Sequence, residues 1–184
     1  MAAEYKNHAF VAPDNGVLTP VLKPGARAFE LTHSKYFLKP VSSTFHGRDI
    51  FAPVAARIAR GTKLSALGRT ISDPHILSLP QSSFKNNILT GQIVYKDRFG
   101  NLASNISAEY LGRCFGNLDR ITIQLGKRKT KMPIMTSYSH ARKGQYGAII
   151  NSWNNLEVFC REGNAAKELR CKIGETVTAS RSKP

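Results

Sequence analysis

From residue 88 onward the sequence consists of short, apolar, strand-length runs separated by turn residues, and this pattern limits the fold most. Several short strands that follow one another at close spacing are typical of an all-β sandwich or barrel. We predict a small β-barrel, interrupted by one short helix at 164–169 that begins after Asn164 as its N-cap. The predicted strands are 91–96, 102–106, 121–125, 132–136, 147–152, 156–160 and 175–179.

The residues before this region mix strand and helix patterns. A short apolar run at 10–12, stopped by a Pro-Asp-Asn-Gly turn, and an alternating pattern at 27–31 each predict a strand. From Asp49 the apolar residues recur at helical spacing until Gly61, so we predict a helix with Asp49 as N-cap. Pro53 fits because the first helical turn needs no N–H donor there.

A polar connector at 79–87 separates the two patterns. We therefore predict an α+β protein with two domains, one at 1–84 and the β-barrel at 85–184. A chain of 184 residues is long enough for two small domains.

The chain is strongly basic, with a formal net charge of +15 and an isoelectric point near 10.1. Such a charge attracts phosphate backbones, so a nucleic-acid partner is one hypothesis. Basic residues cluster at 127–131, where a solvated hairpin tip is an equally good interpretation, and in a short tail at 181–184.

The remaining composition predicts a soluble cytoplasmic protein. No apolar run approaches the roughly 18–20 residues that cross a bilayer, and residues 1–8 have no apolar signal core. Three cysteines at unpaired spacings fit a reducing compartment and predict neither a disulfide nor a zinc site. Asp49 and Asp97 lie in no carboxylate cluster, so we predict no metal.

Three segments carry more polar residues than turns alone require: 12–16, 43–53 and 97–105. Taken singly, each has a structural interpretation. His46 is in a loop before a helix, where a hydrogen-bonded structural histidine is common, and Asp97 is well placed to cap a β-turn.

Taken together and in order, these segments resemble one family, the S-adenosyl-L-methionine hydroxide adenosyltransferases, whose relatives include the fluorinase and chlorinase. The resemblance covers the chain from about His8 to about Val177. The matching stretches read Pro-Asp-Asn-Gly at 13–16, Thr-Phe-His-Gly-Arg-Asp-Ile-Phe-Ala-Pro at 44–53, Asp-Arg-Phe-Gly-Asn at 97–101, Asn-Ser-Trp-Asn-Asn-Leu-Glu at 151–157 and Gly-Asn-Ala-Ala at 163–166.

The resemblance implies an N-terminal Rossmann-like α/β domain joined to a C-terminal β-barrel, in a homotrimer whose active sites lie between subunits. It implies hydrolysis of S-adenosyl-L-methionine to adenosine and L-methionine by water attack at the ribose C5′. S-adenosyl-L-methionine is then the substrate, and no cofactor is needed.

The resemblance also implies residue roles. His46 matches the histidine that positions or deprotonates the water, and Gly47 after it favours water over halide, which argues against a halide-using enzyme. Asp97 and Asn101 match residues that hold the methionine amino group and the adenine side. The other matched positions are Phe99 in the pocket wall, Ser152 at the methionine carboxylate and the backbone of Asn164 and Ala165 at the adenine edge. Trp153 has two interpretations, stacking on adenine or filling the barrel, and we expect the second.

The family's Asp-Pro-Gly-Val-Gly-x-x-Arg stretch, which carries its catalytic Asp and Arg, has no counterpart here, nor does its ribose-binding aspartate. The α/β domain is therefore expected to be incomplete. Three explanations remain open: a coding start set too late, a second chain that supplies the missing half, or recruitment to a non-catalytic role. In the last case, the basic chain becomes a nucleic-acid- or ribonucleoprotein-associated component.

Overall fold

The structure is a computed structural model that describes residues 1–182, so the last two residues of the basic tail lie outside the described part. The chain divides into two compact units, Met1–Ser78 and Leu79–Pro184. The α+β class with a C-terminal β-barrel, predicted from the sequence, is confirmed.

The first unit contains a three-stranded sheet in the order β2-β1-β3. Its strands are β1 (Ala2–Tyr5), β2 (His8–Val11) and β3 (Arg27–Phe29). Both pairings are antiparallel, whereas a Rossmann-like sheet is mostly parallel. The sequence did not predict β1, because Ala-Ala-Glu-Tyr has no β-branched residue and no clear alternation.

The predicted helix of the first unit is confirmed as α1 (Ala52–Ala59), with Pro53 in its first turn. The N-cap prediction is wrong. Asp49 lies inside a π-helical turn, Gly47–Phe51, that leads into α1, and its carboxylate does not cap a helix. Val54 of α1 is fully buried in a core cluster with Phe29 and Leu67.

The second unit is a closed barrel. Its seven barrel strands follow the order β11-β7-β8-β9-β10-β6-β5, and β11 pairs with β5 to close the ring. Among the described residues the β8–β9 pair is parallel and all other pairs are antiparallel. The strands of this unit are β4 (Ser83–Lys85), β5 (Ile88–Lys96), β6 (Leu102–Ser107), β7 (Arg120–Leu125), β8 (Arg128–Met135), β9 (Tyr146–Ile150), β10 (Asn155–Cys160) and β11 (Thr176–Arg181).

Alternation along the strands fills the barrel. In β7, Ile121, Ile123 and Leu125 are buried while the residues between them face outward. Fully burying a side chain of this kind contributes about 1.5–3 kcal/mol to folding. Closure also leaves the barrel strands without a free edge, which limits edge-to-edge association.

Among the described residues, two α-helices accompany the barrel: α2 (Ala108–Phe115) and α3 (Ala165–Glu168). The predicted N-cap of α3 is confirmed, since the Asn164 side chain accepts a hydrogen bond from the Lys167 N–H at 2.8 Å. Helix α2 was not predicted. Its signals are short: Ser107 as N-cap, and Leu111 and Phe115 as the buried pair four residues apart.

Two further expectations differ from the structure. The connector 79–87 contains β4, which pairs with β5, so the predicted boundary at 84/85 falls within a strand and the division lies after Ser78. The basic cluster begins at the tip of the β7–β8 hairpin, with Lys127 in the turn, but it extends beyond the tip because Arg128 to Lys131 belong to β8. Among the described residues, no helix is long and apolar enough to cross a bilayer.

Candidate functional site

A cavity of about 570 Å³ opens at one end of the barrel. Its volume lies within the range of small-molecule sites. Three of the predicted site residues line it, namely Asp97, Phe99 and Asn101. The remaining lining residues are Tyr138, Phe159, Cys160, Arg161, Glu162 and Gly163.

The loop between β5 and β6 is held closed by its own hydrogen bonds. The Asp97 carboxylate accepts from the Asn101 backbone N–H at 2.8 Å and from the Asn101 Nδ2 at 2.9 Å. One of the two N–H donors of the Asn101 amide is therefore used, and among the described residues no donor bonds its Oδ1. Phe99, at the tip of this loop, is 77% exposed.

Helix α3 supports this loop from behind. The Ala166 N–H donates to the Gly100 carbonyl at 2.9 Å. Gly100 has a φ of +88°, and a Cβ on it would lie 2.2 Å from Cγ of Asn164. The loop and Asn164 thus pack as closely as a glycine permits.

Asn164 and Ala165 themselves are not in the cavity wall. The Asn164 side chain caps α3, and Ala165 is fully buried. Both residues lie next to the Asp97–Asn101 loop and fix its position. The backbone contact to adenine that the resemblance implies for them remains a prediction.

Glu168 joins α3 to the neighbouring strands. Its carboxylate accepts from the Asn164 N–H at 3.0 Å and from the Tyr146 hydroxyl at 2.8 Å, and the first of these lowers the pKa of Glu168. Burial and the hydrogen bond to Glu168 raise the pKa of Tyr146 to about 12. Burial raises the pKa of the Cys160 thiol in the cavity wall, which disfavours the nucleophilic thiolate.

A second hydrogen-bond network reaches the cavity from β10. Glu157 is only 8% exposed, and it accepts from the Tyr138 hydroxyl at 2.7 Å and from Asn151 Nδ2 at 3.1 Å. Burial, followed by the hydrogen bond to Glu157, raises the pKa of Tyr138 and keeps the phenol protonated. The Tyr138 ring packs edge-to-face on Phe159 with centroids 5.0 Å apart.

Ser152 lies in the exposed turn between β9 and β10, outside the cavity wall. Asn151 shapes this turn, since its Oδ1 accepts from the N–H groups of Trp153 and Asn155. Asn151, Glu157 and Tyr138 therefore connect the Ser152 turn to the cavity. Trp153 is 57% exposed and packs edge-to-face on Tyr95, so the expectation that it fills the barrel is wrong.

His46 belongs to the first unit and is exposed. Among the described residues, its side chain makes no hydrogen bond. The loop that carries it is organised by Asp49, a buried carboxylate that accepts from the Ser42 N–H at 2.8 Å and from Arg48 Nε at 2.6 Å. The Arg48 hydrogen bond, followed by the one from Ser42, lowers the pKa of Asp49 to about 2.

The sequence did not single out Tyr138, Phe159 or residues 160–163 as cavity residues. Tyr138 lies in a Ser-Tyr-Ser-His turn that carries no pattern of its own. Glu157 did leave a signal, because a carboxylate inside the apolar run of β10 must find partners when buried. Within residues 1–182, no group of three His, Cys, Asp or Glu side chains is arranged to hold a metal ion.

The chain matches two family models over most of its length. The model described as the SAM hydroxide adenosyltransferase N-terminal domain matches residues 1–68, and the model of the corresponding C-terminal domain matches residues 91–178. These ranges include every site residue predicted above.

Individual relatives agree with these matches. A (R)-S-adenosyl-L-methionine hydrolase of Thermus thermophilus is 30% identical over 177 residues, which cover 91% of this chain and 65% of that protein. A fluorinase of an Actinoplanes species is 28% identical over 187 residues, or 96% of this chain and 62% of the relative. The chain thus spans slightly less than two thirds of the length of these relatives.

Solved structures show the same fold. The crystal structure of an uncharacterized conserved protein from Thermotoga maritima superposes with a TM-score of 0.79 at 30% identity, covering 98% of this chain and 70% of that one. The crystal structure of a conserved hypothetical protein from Thermus thermophilus gives a TM-score of 0.62 at 27% identity, covering 97% of this chain and 72% of that one.

Proposed function

Since the chain belongs to the S-adenosyl-L-methionine hydroxide adenosyltransferase family, we propose that it takes part in the hydrolysis of S-adenosyl-L-methionine to adenosine and L-methionine. The observation that carries this proposal is the hydrogen-bonded Asp97–Asn101 loop in the wall of a 570 Å³ cavity. The names of the relatives, a hydrolase and a fluorinase, support the same substrate.

The proposed reaction is a displacement at carbon. A water oxygen forms a bond to the ribose C5′ while the C5′–S bond breaks, and its electron pair neutralises the sulfonium to give methionine. The water loses one proton. Because the leaving group is already good, the protein's task is to hold the substrate and place the water in line with the C–S bond.

In this proposal, Asp97 and Asn101 hold the substrate. The Asp97 carboxylate has lone pairs beyond those used by Asn101 and attracts the methionine ammonium, and Asn101 Oδ1 accepts from the adenine amine. Phe99 covers the pocket, Ser152 binds the methionine carboxylate, and the backbone at Asn164 and Ala165 contacts the adenine edge.

His46 is the proposed group that orients the water or accepts its proton. Gly47 beside it presents no polar side chain to a halide, and apart from its chain neighbours and the helix backbone no described atom lies within 4 Å of the position of a Cβ. This favours water over halide as the nucleophile.

We further propose that the active form contains more than one chain, either as a homotrimer or with a second chain that supplies the family's Asp and Arg. The three cysteines are free thiols, which agrees with the proposed cytoplasmic location. Sedimentation analysis of the chain alone distinguishes the two assemblies, because a homotrimer forms without a second chain.

The test is turnover of S-adenosyl-L-methionine in water labelled with oxygen-18, first with the chain alone and then with a second chain that supplies the family's Asp and Arg. The proposal expects adenosine that carries the label at its 5′-hydroxyl, and loss of most of this product in His46→Ala. His8→Ala is the matched control, because His8 is another exposed histidine of the first unit. Unlabelled adenosine, or product equal to that of His46→Ala, contradicts the proposal.

A further inference from the structure

The outer wall of the barrel carries a continuous polar face that no part of the proposed reaction uses. It runs across β8, β7, β11, β5 and β4, whose registers place their outward side chains side by side. We call it the basic face. Residues that are partners on neighbouring strands form three rows across it. These rows are Lys131, Thr122 and Ser180; Lys129, Gln124, Thr178, Thr90 and Ser83; and Ile88 with Lys85.

The side chains of this face share one chemistry. They are hydroxyls, amides and lysines, with Ile88 as the apolar exception, and none of these positions holds a carboxylate or an aromatic ring. A groove of about 710 Å³ runs over the same wall. It is lined by Asn86, Asn87, Ile88, Thr122, Lys129, Lys131, Ser180 and Arg181.

Two of the lysines, Lys85 and Lys129, lie on the two end strands of this face. Among the described residues, no carboxylate oxygen lies within 4.0 Å of the ammonium groups of Lys85 or Lys129. Nearby Glu175 is engaged with the Lys172 backbone N–H at 3.0 Å. The charge of the face therefore adds to a net charge that is already +15.

We propose that the basic face binds the phosphate backbone of double-helical nucleic acid. Lysine ammonium groups, hydroxyls and amides are the usual partners of phosphate oxygens. Five strands about 4.8 Å apart place Lys85 and Lys129 about 19 Å from one another along the wall, so they contact different phosphates. Without aromatic side chains the face has no platform for stacked single-stranded bases, and binding is independent of sequence.

This surface shares no residue with the 570 Å³ cavity, so it acts whether or not the chain hydrolyses S-adenosyl-L-methionine. An anionic membrane would also attract lysines. The face, however, presents Ile88 as its one large apolar side chain among the positions named above, which is too little for insertion into the headgroup region.

The test is fluorescence anisotropy with an RNA duplex of about 20 base pairs and mixed sequence, titrated at salt concentrations between about 50 and 200 mM. The variant Lys85→Gln/Lys129→Gln removes two charges from the face. Arg142→Gln/Lys167→Gln is the matched control, because it removes two exposed charges from the same unit at positions off the face.

The wild type is expected to bind with an affinity that falls steeply with salt. The Lys85→Gln/Lys129→Gln variant should bind roughly tenfold more weakly at low salt, with a log–log salt slope shallower by about 2, since each phosphate contact contributes about 0.9. The control should retain most of the wild-type affinity and slope.

Three outcomes overturn the proposal: equal weakening in both double variants, which would show that net charge alone matters; no duplex binding at low salt; or binding to vesicles that contain phosphatidylserine without binding to RNA. Thermal unfolding of each variant confirms that it is folded. Affinity for S-adenosyl-L-methionine, measured alongside, should be unchanged in Lys85→Gln/Lys129→Gln.

Discussion

The barrel cavity and the His46 loop are built in different ways. In the cavity, the proposed substrate residues Asp97 and Asn101 bind one another, and α3 packs against their loop through Asn164. In the His46 loop, Asp49 makes the hydrogen bonds while His46 is exposed to solvent. Binding groups are thus fixed within the barrel, whereas the proposed water-positioning group is held through its backbone alone.

This difference has a chemical consequence. Groups that bind substrate gain affinity when their geometry is fixed before binding, because less side-chain entropy is lost on association. A histidine without partners gains its orientation only when substrate or another chain surrounds it. We therefore propose that substrate binding resides in the barrel, whereas the chemistry requires a completed environment around His46.

The largest effect is expected at Gly100. Gly100→Ala places a Cβ against Asn164 at a left-handed φ, and should destabilise the barrel by about 3 kcal/mol. Gly144→Ala is the matched control, because Gly144 also has a positive φ but has open space around it, and about 1 kcal/mol is expected.

Trp153 is the one tryptophan of the chain and lies in the barrel unit. Its fluorescence in a denaturant titration therefore measures the unfolding of the barrel in both variants. Equal destabilisation by the two substitutions would show that the close approach of the loop to Asn164 is unimportant.

A smaller effect is expected at Tyr138. Tyr138→Phe leaves one oxygen of the buried Glu157 without its donor, and should cost about 1–2 kcal/mol of stability and weaken substrate binding several-fold. Tyr146→Phe removes a comparable hydroxyl–carboxylate bond to the exposed Glu168, with an expected cost of less than about 1 kcal/mol.

Denaturant unfolding measures the stability of each variant, and calorimetric titration measures its affinity for the substrate. If Tyr138→Phe binds the substrate as the wild type does, the Glu157 network does not shape the cavity.

The smallest effect is local and depends on pH. Since the folded-state pKa of Asp49 is lowered to about 2, its contribution to stability is complete above the unfolded value near 4 and is lost as the pH falls towards about 2. The protection factors of the amides at residues 42–51, which compare observed exchange with the intrinsic rate at each pH, should therefore fall between about pH 4 and pH 2.

Asp49→Asn should remove this pH dependence, whereas Asp73→Asn, at an exposed carboxylate of the same unit, should retain it. An unchanged exchange profile in Asp49→Asn would show that Asp49 does not organise the His46 loop.

Much of the barrel was predictable because alternation and turns are local signals. The seven predicted strands and the Asn164 cap were found, since each depends on residues close together in the sequence. β1, β4 and α2 were missed, because short elements with weak patterns are stabilised by tertiary pairing and packing.

The site residues also divide into those that a local motif predicts and those that only the fold brings together. Asp97, Phe99 and Asn101 were identified from one contiguous motif, and the structure places all three in one cavity wall. Tyr138 and Glu157 are 19 residues apart and meet only through the fold of β10, so no local pattern revealed their contact. Asp49 illustrates a third case: its position suggested a cap, but Ser42 and Arg48 compete successfully for its carboxylate.

Calorimetric titration of the chain with S-adenosyl-L-methionine tests most directly whether binding resides in the barrel. Asn101→Ala should weaken binding about tenfold, as expected for about 1.4 kcal/mol lost with one hydrogen-bonding amide, while His46→Ala should remain within about twofold of the wild type. No binding by the folded wild-type chain, or an equal loss of affinity in the two variants, would contradict the account.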